Sequence, residues 1–445
     1  MGHLRNIKEL YRSLNTHISH HQTQLPDTPA AHQILKVLFS PEEAELALKL
    51  PFKPVKLKTL ARRLQESPEV LHQKLDKMAD RGLVFDFLRE ETGEYYYILA
   101  PPIVGFLEFS FMRVRGDIPQ KELANLLYES FHKDKQFVAG LFGGQTNIGR
   151  TLVHESTLPE DYSDILSYEQ ATALIEESGG GAVSLCYCRH SASHVDQGCN
   201  NPQEICTSLY EGADFVIRHG FGRHVEQQEL LDILAQAREL GLVQIADNVQ
   251  NKPTYICHCC GCCCGQLTAI NKWGISNAVH TSNFIAAVDE AACAGCGRCA
   301  RRCPIGAIKL ESKMPYTPVR HDLLARIDEE ICLGCGVCVP ACKKDALSMA
   351  PRPKRVLTPE TTLERVLRMN LENGTIQYLL FNDPTNQNHQ WLNRFLNVIF
   401  KLPPVKWVLL NESLQSRYIN HLMKGARKTV PDGMKDVIAP RRSQP

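Results

Sequence analysis

Eighteen cysteines carry the chemistry legible in this chain, and all of them lie between Cys186 and Cys342. Eight form two runs of C-x2-C-x2-C-x3-C: Cys293, Cys296, Cys299 and Cys303, then Cys332, Cys335, Cys338 and Cys342. Their surroundings repeat too. AAVDEAACAGCGRCARRCPIGAIKL aligns with ARIDEEICLGCGVCVPACKKDALSM at an offset of 39 residues, and each run follows a strand-like segment with Asp289 or Asp328. Such an internal repeat specifies two copies of one local structure. The spacing suits a [4Fe–4S] cube, which needs a thiolate at each iron. Three cysteines two residues apart wrap a tight loop round three corners. Ala294, Gly295, Gly297, Gly334 and Gly336 let the backbone approach the cube and aim N–H groups at its sulfurs. Zinc favours ligands split as C-x2-C pairs, and these runs fit it less well.

The fourth cysteine of each run lies beyond the loop and ligates the other cluster. The expected ligand sets are Cys293, Cys296, Cys299 and Cys342 for the first cluster, and Cys332, Cys335, Cys338 and Cys303 for the second. On these motifs residues 285–350 resemble the bacterial-type two-cluster ferredoxin domain. The resemblance implies two [4Fe–4S] clusters and one-electron transfer. Pro304 follows Cys303 as that family expects, whereas Lys343 follows Cys342. The stretch between Cys303 and Cys332 leaves room for a hairpin.

Ten cysteines remain as candidate ligands of one or two additional clusters. Cys186, Cys188, Cys199 and Cys206 form one block, enough for one [4Fe–4S] cluster. Cys257, Cys259, Cys260, Cys262, Cys263 and Cys264 form another in CHCCGCCCG. Adjacent side chains diverge, so neighbours in this run are expected to serve different irons or different clusters. Arg189 and His190 are candidate hydrogen-bond donors to cluster sulfur, or else a surface pair. His194 and His258 are candidates to replace a thiolate. A redox-active disulfide or a structural zinc is the competing reading of this block. CYCRH followed by CHCCGCCCG, ahead of a dicluster ferredoxin, resembles large ferredoxin-like iron–sulfur proteins of anaerobic bacteria and archaea. That resemblance implies an electron-transfer role.

These loops need elements to hold them, and the 445-residue length allows about three domains. The expected class is α+β multidomain. Residues 1–29 read as a helix and linker, with His17, His20 and His21 at a solvated helix end or in a metal site. Residues 30–110 carry helices, a helix–turn–helix and a hairpin around Glu-Thr-Gly-Glu, an order that resembles a winged helix. Ser67 and Pro68 open its second helix, with Val70, Leu71, Leu75 and Met78 spaced for one face. That helix mixes His72, Gln73, Lys74 and Lys77 with Glu69, Asp76 and Asp80, a poor electrostatic footprint for DNA, so a protein-docking or dimerising role is favoured over DNA binding. Residues 111–284 read as a helical, cysteine-rich domain, 285–350 as the ferredoxin domain and 351–445 as a helical C-terminal segment. In that last segment Trp391, Arg394, Phe395, Ile399, Phe400, Lys401, Lys406 and Trp407 suit a peripheral membrane contact or a helix packed on the core.

Fifty basic against forty-nine acidic residues leave a net charge of +1, which excludes a protein whose bulk charge grips nucleic acid. No stretch approaches the roughly 18 apolar residues of a membrane span. The opening MGHLRNIKELYRSL lacks a compact apolar region, so a cytoplasmic location is expected. No Gly-rich phosphate loop or catalytic constellation is visible, so no catalytic residue is named. The expected role is a redox subunit, or an electron donor or acceptor, for a partner oxidoreductase. The alternatives are a redox-sensing transcription regulator that uses the winged helix, and an oxidoreductase with a catalytic cluster in 186–264.

Overall fold

The computed structural model describes residues 7–89, 91–158, 165–312 and 323–400, with positions 402, 405, 419 and 422. The chain forms two compact units. The first comprises Met1–Thr146, Phe215–Phe221 and Glu360–Pro445, and the second comprises Asn147–Asp214 and Gly222–Pro359. No helix among the described residues is long and apolar enough to cross a membrane.

The first unit begins with α1 (Ile7–Ile18), α2 (Pro29–Leu38) and α3 (Pro41–Ala47). Thr28 caps α2 by accepting from the Ala31 amide, and Ser40 and Glu43 form a reciprocal capping box at α3. Then come β1 (Val55–Lys56), α4 (Leu57–Leu64), α5 (Pro68–Ala79), β2 (Val84–Arg89) and β3 (Glu94–Leu99). The strands pair antiparallel in the order β1-β3-β2. Ser67 caps α5 by accepting from the Val70 amide, and Leu71, Leu75 and Met78 are buried. Val70, expected on that same face, is 45% exposed.

Residues 215–221 close over the hairpin. Phe215 packs edge-on against Phe85 and Phe109. Arg218 clamps the buried Asp86 carboxylate at 2.6 Å, and His219 bridges Asp80 and Asp86 at 2.7 and 2.9 Å. The three N-terminal histidines are not a solvated helix end, and their ring nitrogens form no three-ligand group among the described residues. They pack round Phe52, and His20 stacks on Tyr378 with ring centroids 3.6 Å apart. Two amphipathic C-terminal helices form where the pattern predicts, at Thr362–Glu372 and Gln387–Phe400. Trp391 and Phe395 stack in parallel on the exposed face of the second. Lys401, Lys406 and Trp407 lie outside the described residues.

The second unit corrects the expectation of a helical middle domain. Its centre is a six-stranded sheet made of β4 (Gly149–Leu152), β5 (Gly180–Leu185), β6 (Glu204–Ser208), β7 (Gly222–Glu226), β8 (Val243–Asp247) and β9 (Tyr255–Cys259). The order is β4-β8-β9-β6-β5-β7, and every neighbouring pair is antiparallel. One face carries Val183, Val225, Ala246 and Ile256. They pack on Leu174 and Ile175 of the helix Ala171–Ser178 and on Leu230 and Leu234 of the helix Gln227–Glu239. Four more strands follow: β10 (Phe284–Val288), β11 (Ile308–Ser312), β12 (Leu323–Ile327) and β13 (Leu347–Pro351). They form two antiparallel ladders, β10-β13 and β11-β12. Residues 147–214 and 222–359, which take in most of the expected 111–284 segment and all of 285–350, belong to one compact unit.

Candidate metal centres

The duplicated sequence builds a duplicated frame. Asp289 follows β10, and its carboxylate accepts the amides of Ala291 and Ala292, while its carbonyl accepts from Cys293 N. Asp328 follows β12 and does the same work. Its carboxylate accepts from Glu330 N, and its carbonyl accepts from Cys332 N. Each aspartate also donates its own amide across the repeat, Asp289 to Ala346 O and Asp328 to Ala307 O. These turns launch the two cysteine loops.

The loops then interlock. Gly295 has φ +59°, and a Cβ there would stand 2.2 Å from Leu323 O on β12. Gly334 has φ +69°, and a Cβ there would stand 2.0 Å from Phe284 O on β10. Both positions require glycine for conformation and for space. Each loop therefore sits against a strand that belongs to the other repeat.

The thiols group in the exchanged pattern. Cys293, Cys296, Cys299 and Cys342 line one cavity of about 140 Å³, together with Leu310 and Ala325. Cys303 lies instead in electrostatic contact with Cys332, Cys335 and Cys338. Burial pushes all four flanking thiols Cys299, Cys303, Cys335 and Cys338 up, Cys335 to about 12. Buried thiols of this kind stay protonated until a cation replaces the proton. The Ala307 amide donates to Cys303 Sγ at 3.3 Å, the orientation that suits a bound cluster sulfur ligand. Four thiols at each of two apolar, glycine-shaped loops with backbone donors fit two [4Fe–4S] clusters.

The remaining ten cysteines do not divide at the sequence gap. Six are linked by thiol contacts: Cys186 to Cys188, Cys188 to Cys264, Cys264 to Cys259, Cys259 to Cys257 and Cys257 to Cys206. Cys206, Cys257 and Cys259 lie on the paired strands β6 and β9. Cys186 and Cys264 stand at the N-caps of the helices Tyr187–Ser193 and Gly265–Trp273. Contacts with Cys188 and Cys259, aided by the amides of Leu267 and Gln266, hold Cys264 well below the usual thiol range against the effect of burial. The other four, Cys199, Cys260, Cys262 and Cys263, place all their Sγ atoms within 4.8 Å of one another. Here the adjacent Cys262 and Cys263 converge, with sulfurs 3.7 Å apart, where divergence was expected.

Arg189 is not part of a surface pair. It is 1% exposed, and it donates to Pro202 O at 2.8 Å and to His258 O at 2.7 Å. Its charge faces Cys186, Cys260 and Cys259, and its buried Nε has no acceptor among the described residues. His190 is also buried, and its ring lies 4.9 Å from that of His194. His258 stands between Cys257 and Cys259 on β9, and burial drives it down to about 3, a neutral imidazole. Neither His194 nor His258 joins the four-sulfur group among the described residues.

Three contributors are missing from the sequence reading. Asn201 Nδ2 donates to Cys199 Sγ at 3.3 Å. Gly261 packs on Pro304, and Asn271 Nδ2 donates to Gly261 O and Pro304 O at 3.4 and 2.9 Å. Asparagine two places after a cysteine, and proline directly after one, were the available signals.

Comparison with known proteins agrees with the thiol geometry. The family model of the 4Fe-4S dicluster domain matches residues 292–346. No curated protein and no solved structure matches the chain. The match, with Cys293, Cys296, Cys299 and Cys342 round one cavity, marks this segment as an iron–sulfur, ferredoxin-like domain of an electron-transfer kind.

Proposed function

We propose that the protein is a multi-centre electron carrier, acting as redox subunit or as donor or acceptor for a partner oxidoreductase. The observation that supports it most is the exchanged pairing of thiols, in which Cys342 lines the cavity of the first run and Cys303 joins the second. The first cluster is held by Cys293, Cys296, Cys299 and Cys342, the second by Cys332, Cys335, Cys338 and Cys303. At least one further centre lies among the ten cysteines of 186–264. Bound clusters supply one-electron redox chemistry. The chain's own residues cover all but Cys296 at least in part, direct amides at ligand sulfurs and hold the loops at fixed separation.

The partner is a protein with an acidic face. Cys296 is exposed, and Arg298, Lys343 and Lys344, all exposed, line the same cavity. Lys343 occupies the place where Pro304 stands in the other repeat. A cationic rim round a cluster steers an anionic partner and makes its association rate fall with salt.

Residues 30–110 serve as a winged helix that docks protein. On α5, His72 is tied to the Tyr97 hydroxyl at 2.5 Å and Lys74 to Glu66. Those groups are committed within the chain, which disfavours the DNA-reading alternative. The location is cytoplasmic, where thiols stay reduced.

The test is anaerobic purification followed by iron and acid-labile sulfide analysis. At least eight irons per chain, with a reduced [4Fe–4S] electron paramagnetic resonance (EPR) signal, are expected. A gel shift at moderate salt with genomic fragments separates the regulator alternative, which requires binding.

A further inference from the structure

We propose that Cys199, Cys260, Cys262 and Cys263 hold a single tetrahedral thiophilic ion, zinc or iron, and not a third cubane. The six-thiol group beside them is left for cluster chemistry.

The sulfur spacing carries this. Cys199 Sγ lies 3.8 Å from Cys260 Sγ, Cys262 Sγ lies 3.7 Å from Cys263 Sγ, and all four atoms fall within 4.8 Å of one another. A metal–sulfur bond of about 2.3 Å in tetrahedral geometry puts neighbouring sulfurs about 3.8 Å apart. A cubane holds its four thiolates much farther apart, because four irons and four sulfides stand between them. The ferredoxin runs, which suit cubanes, use C-x2-C-x2-C. This group uses Cys260-x-Cys262-Cys263, a tighter turn that draws three thiols to one point.

The surroundings fit a tetrathiolate centre. A divalent ion with four thiolates carries a net charge of −2, and buried charge needs compensation. The Arg189 guanidinium is hydrogen-bonded to Cys260, and its buried Nε has no acceptor among the described residues. The Asn201 amide donates to Cys199 Sγ. Such N–H groups orient ligands and stabilise their charge. Zinc would pin the Cys199 loop to the Cys260–Cys263 loop, and iron would add a one-electron site beside Pro304, on which Gly261 rests. Both share the S4 tetrahedron.

The full chain, purified without oxygen, would be measured for zinc, iron and acid-labile sulfide, with X-ray absorption at both metal edges. Two results agree with the proposal. One is about one zinc per chain with four sulfurs near 2.3 Å. The other is one iron in excess of sulfide, with the high-spin ferric EPR signal of a lone tetrathiolate iron on oxidation. Cys262→Ser, at the most exposed of the four ligands, should remove that one ion and leave the ferredoxin EPR signal and the sulfide count unchanged. Loss of several irons with an equal number of sulfides in Cys262→Ser would overturn the proposal, as would wild-type protein with no such ion. The wild-type spectra decide even where the variant does not fold. Absent cubane signals with the lone ion retained would sink the electron-carrier reading and spare this one.

Discussion

Gly261 rests against Pro304: a Cβ at Gly261 would lie 2.3 Å from the Pro304 carbonyl oxygen. Gly261 divides Cys260 from Cys262, and Pro304 follows Cys303, so this backbone contact joins the second cysteine-rich loop to the ferredoxin-like segment. Asn271 fastens it by donating to both carbonyls.

Gly261→Ala forces that contact open, because the opposing atom is backbone and cannot rotate away. The substitution should cost roughly 1–3 kcal/mol, the usual penalty of overpacking. It should also raise the rate at which an alkylating reagent labels Cys262 and Cys263. A urea titration and timed labelling with mass spectrometry check both; an unchanged midpoint and rate would show that the contact carries no strain.

The exchanged pairing makes Cys303→Ser and Cys342→Ser unequal. Cys303→Ser should damage the cluster held by Cys332, Cys335 and Cys338, and Cys342→Ser the one held by Cys293, Cys296 and Cys299. Each loses or converts about four irons. Resonance Raman or EPR of the two variants should show different surviving clusters, and the same survivor in both would contradict the exchange.

The eight-cysteine repeat was legible because its ligands recur at fixed spacing, and each half carries its own aspartate and glycines. The cap at Ser67 was legible for the same local reason. The six-stranded sheet was not. EICTS and YICHC are short and lack a clean alternation of apolar and polar residues, since cysteine serves either face. The division of the ten cysteines was equally hidden, because Cys199 and Cys260 meet across 61 residues of sequence. His219 offers a third example: nothing in its local sequence marks it, yet it is 5% exposed and held by two aspartates.

Asp86 and His219 make the first unit sensitive to pH from two directions. Burial would raise Asp86, but bonds from His219 and Arg218 hold it at about 2. Its stabilisation is present above the unfolded value of 3.8 and is lost as pH falls through about 2. Burial would lower His219, but Asp86 and Asp80 raise it above 6.5. That contribution is full below 6.5 and is lost as pH rises through the higher folded value. Asp86→Asn should destabilise the unit by roughly 3 kcal/mol and flatten both flanks in urea titrations across pH. A curve parallel to the wild type would refute the linkage.

His21 acts in the opposite sense. It is 2% exposed, and burial lowers it from 6.5 to about 3. The folded unit therefore binds fewer protons than the unfolded chain between those values, and stability falls as pH drops from 6.5 toward 3. Hydrogen exchange of residues 7–52 should quicken over that range beyond its intrinsic pH dependence. His17, which burial lowers to about 4, adds to the same trend, so His21→Gln should remove a substantial part of the change, and an unaltered slope would show that His21 is not a source of it.

The most direct test of the electron-carrier account is iron and acid-labile sulfide in anaerobically purified protein, read with low-temperature EPR after reduction. Brown protein with at least eight irons and eight sulfides per chain, and a signal from two interacting reduced [4Fe–4S] clusters, is expected. Colourless protein that contains zinc and no labile sulfide would contradict it.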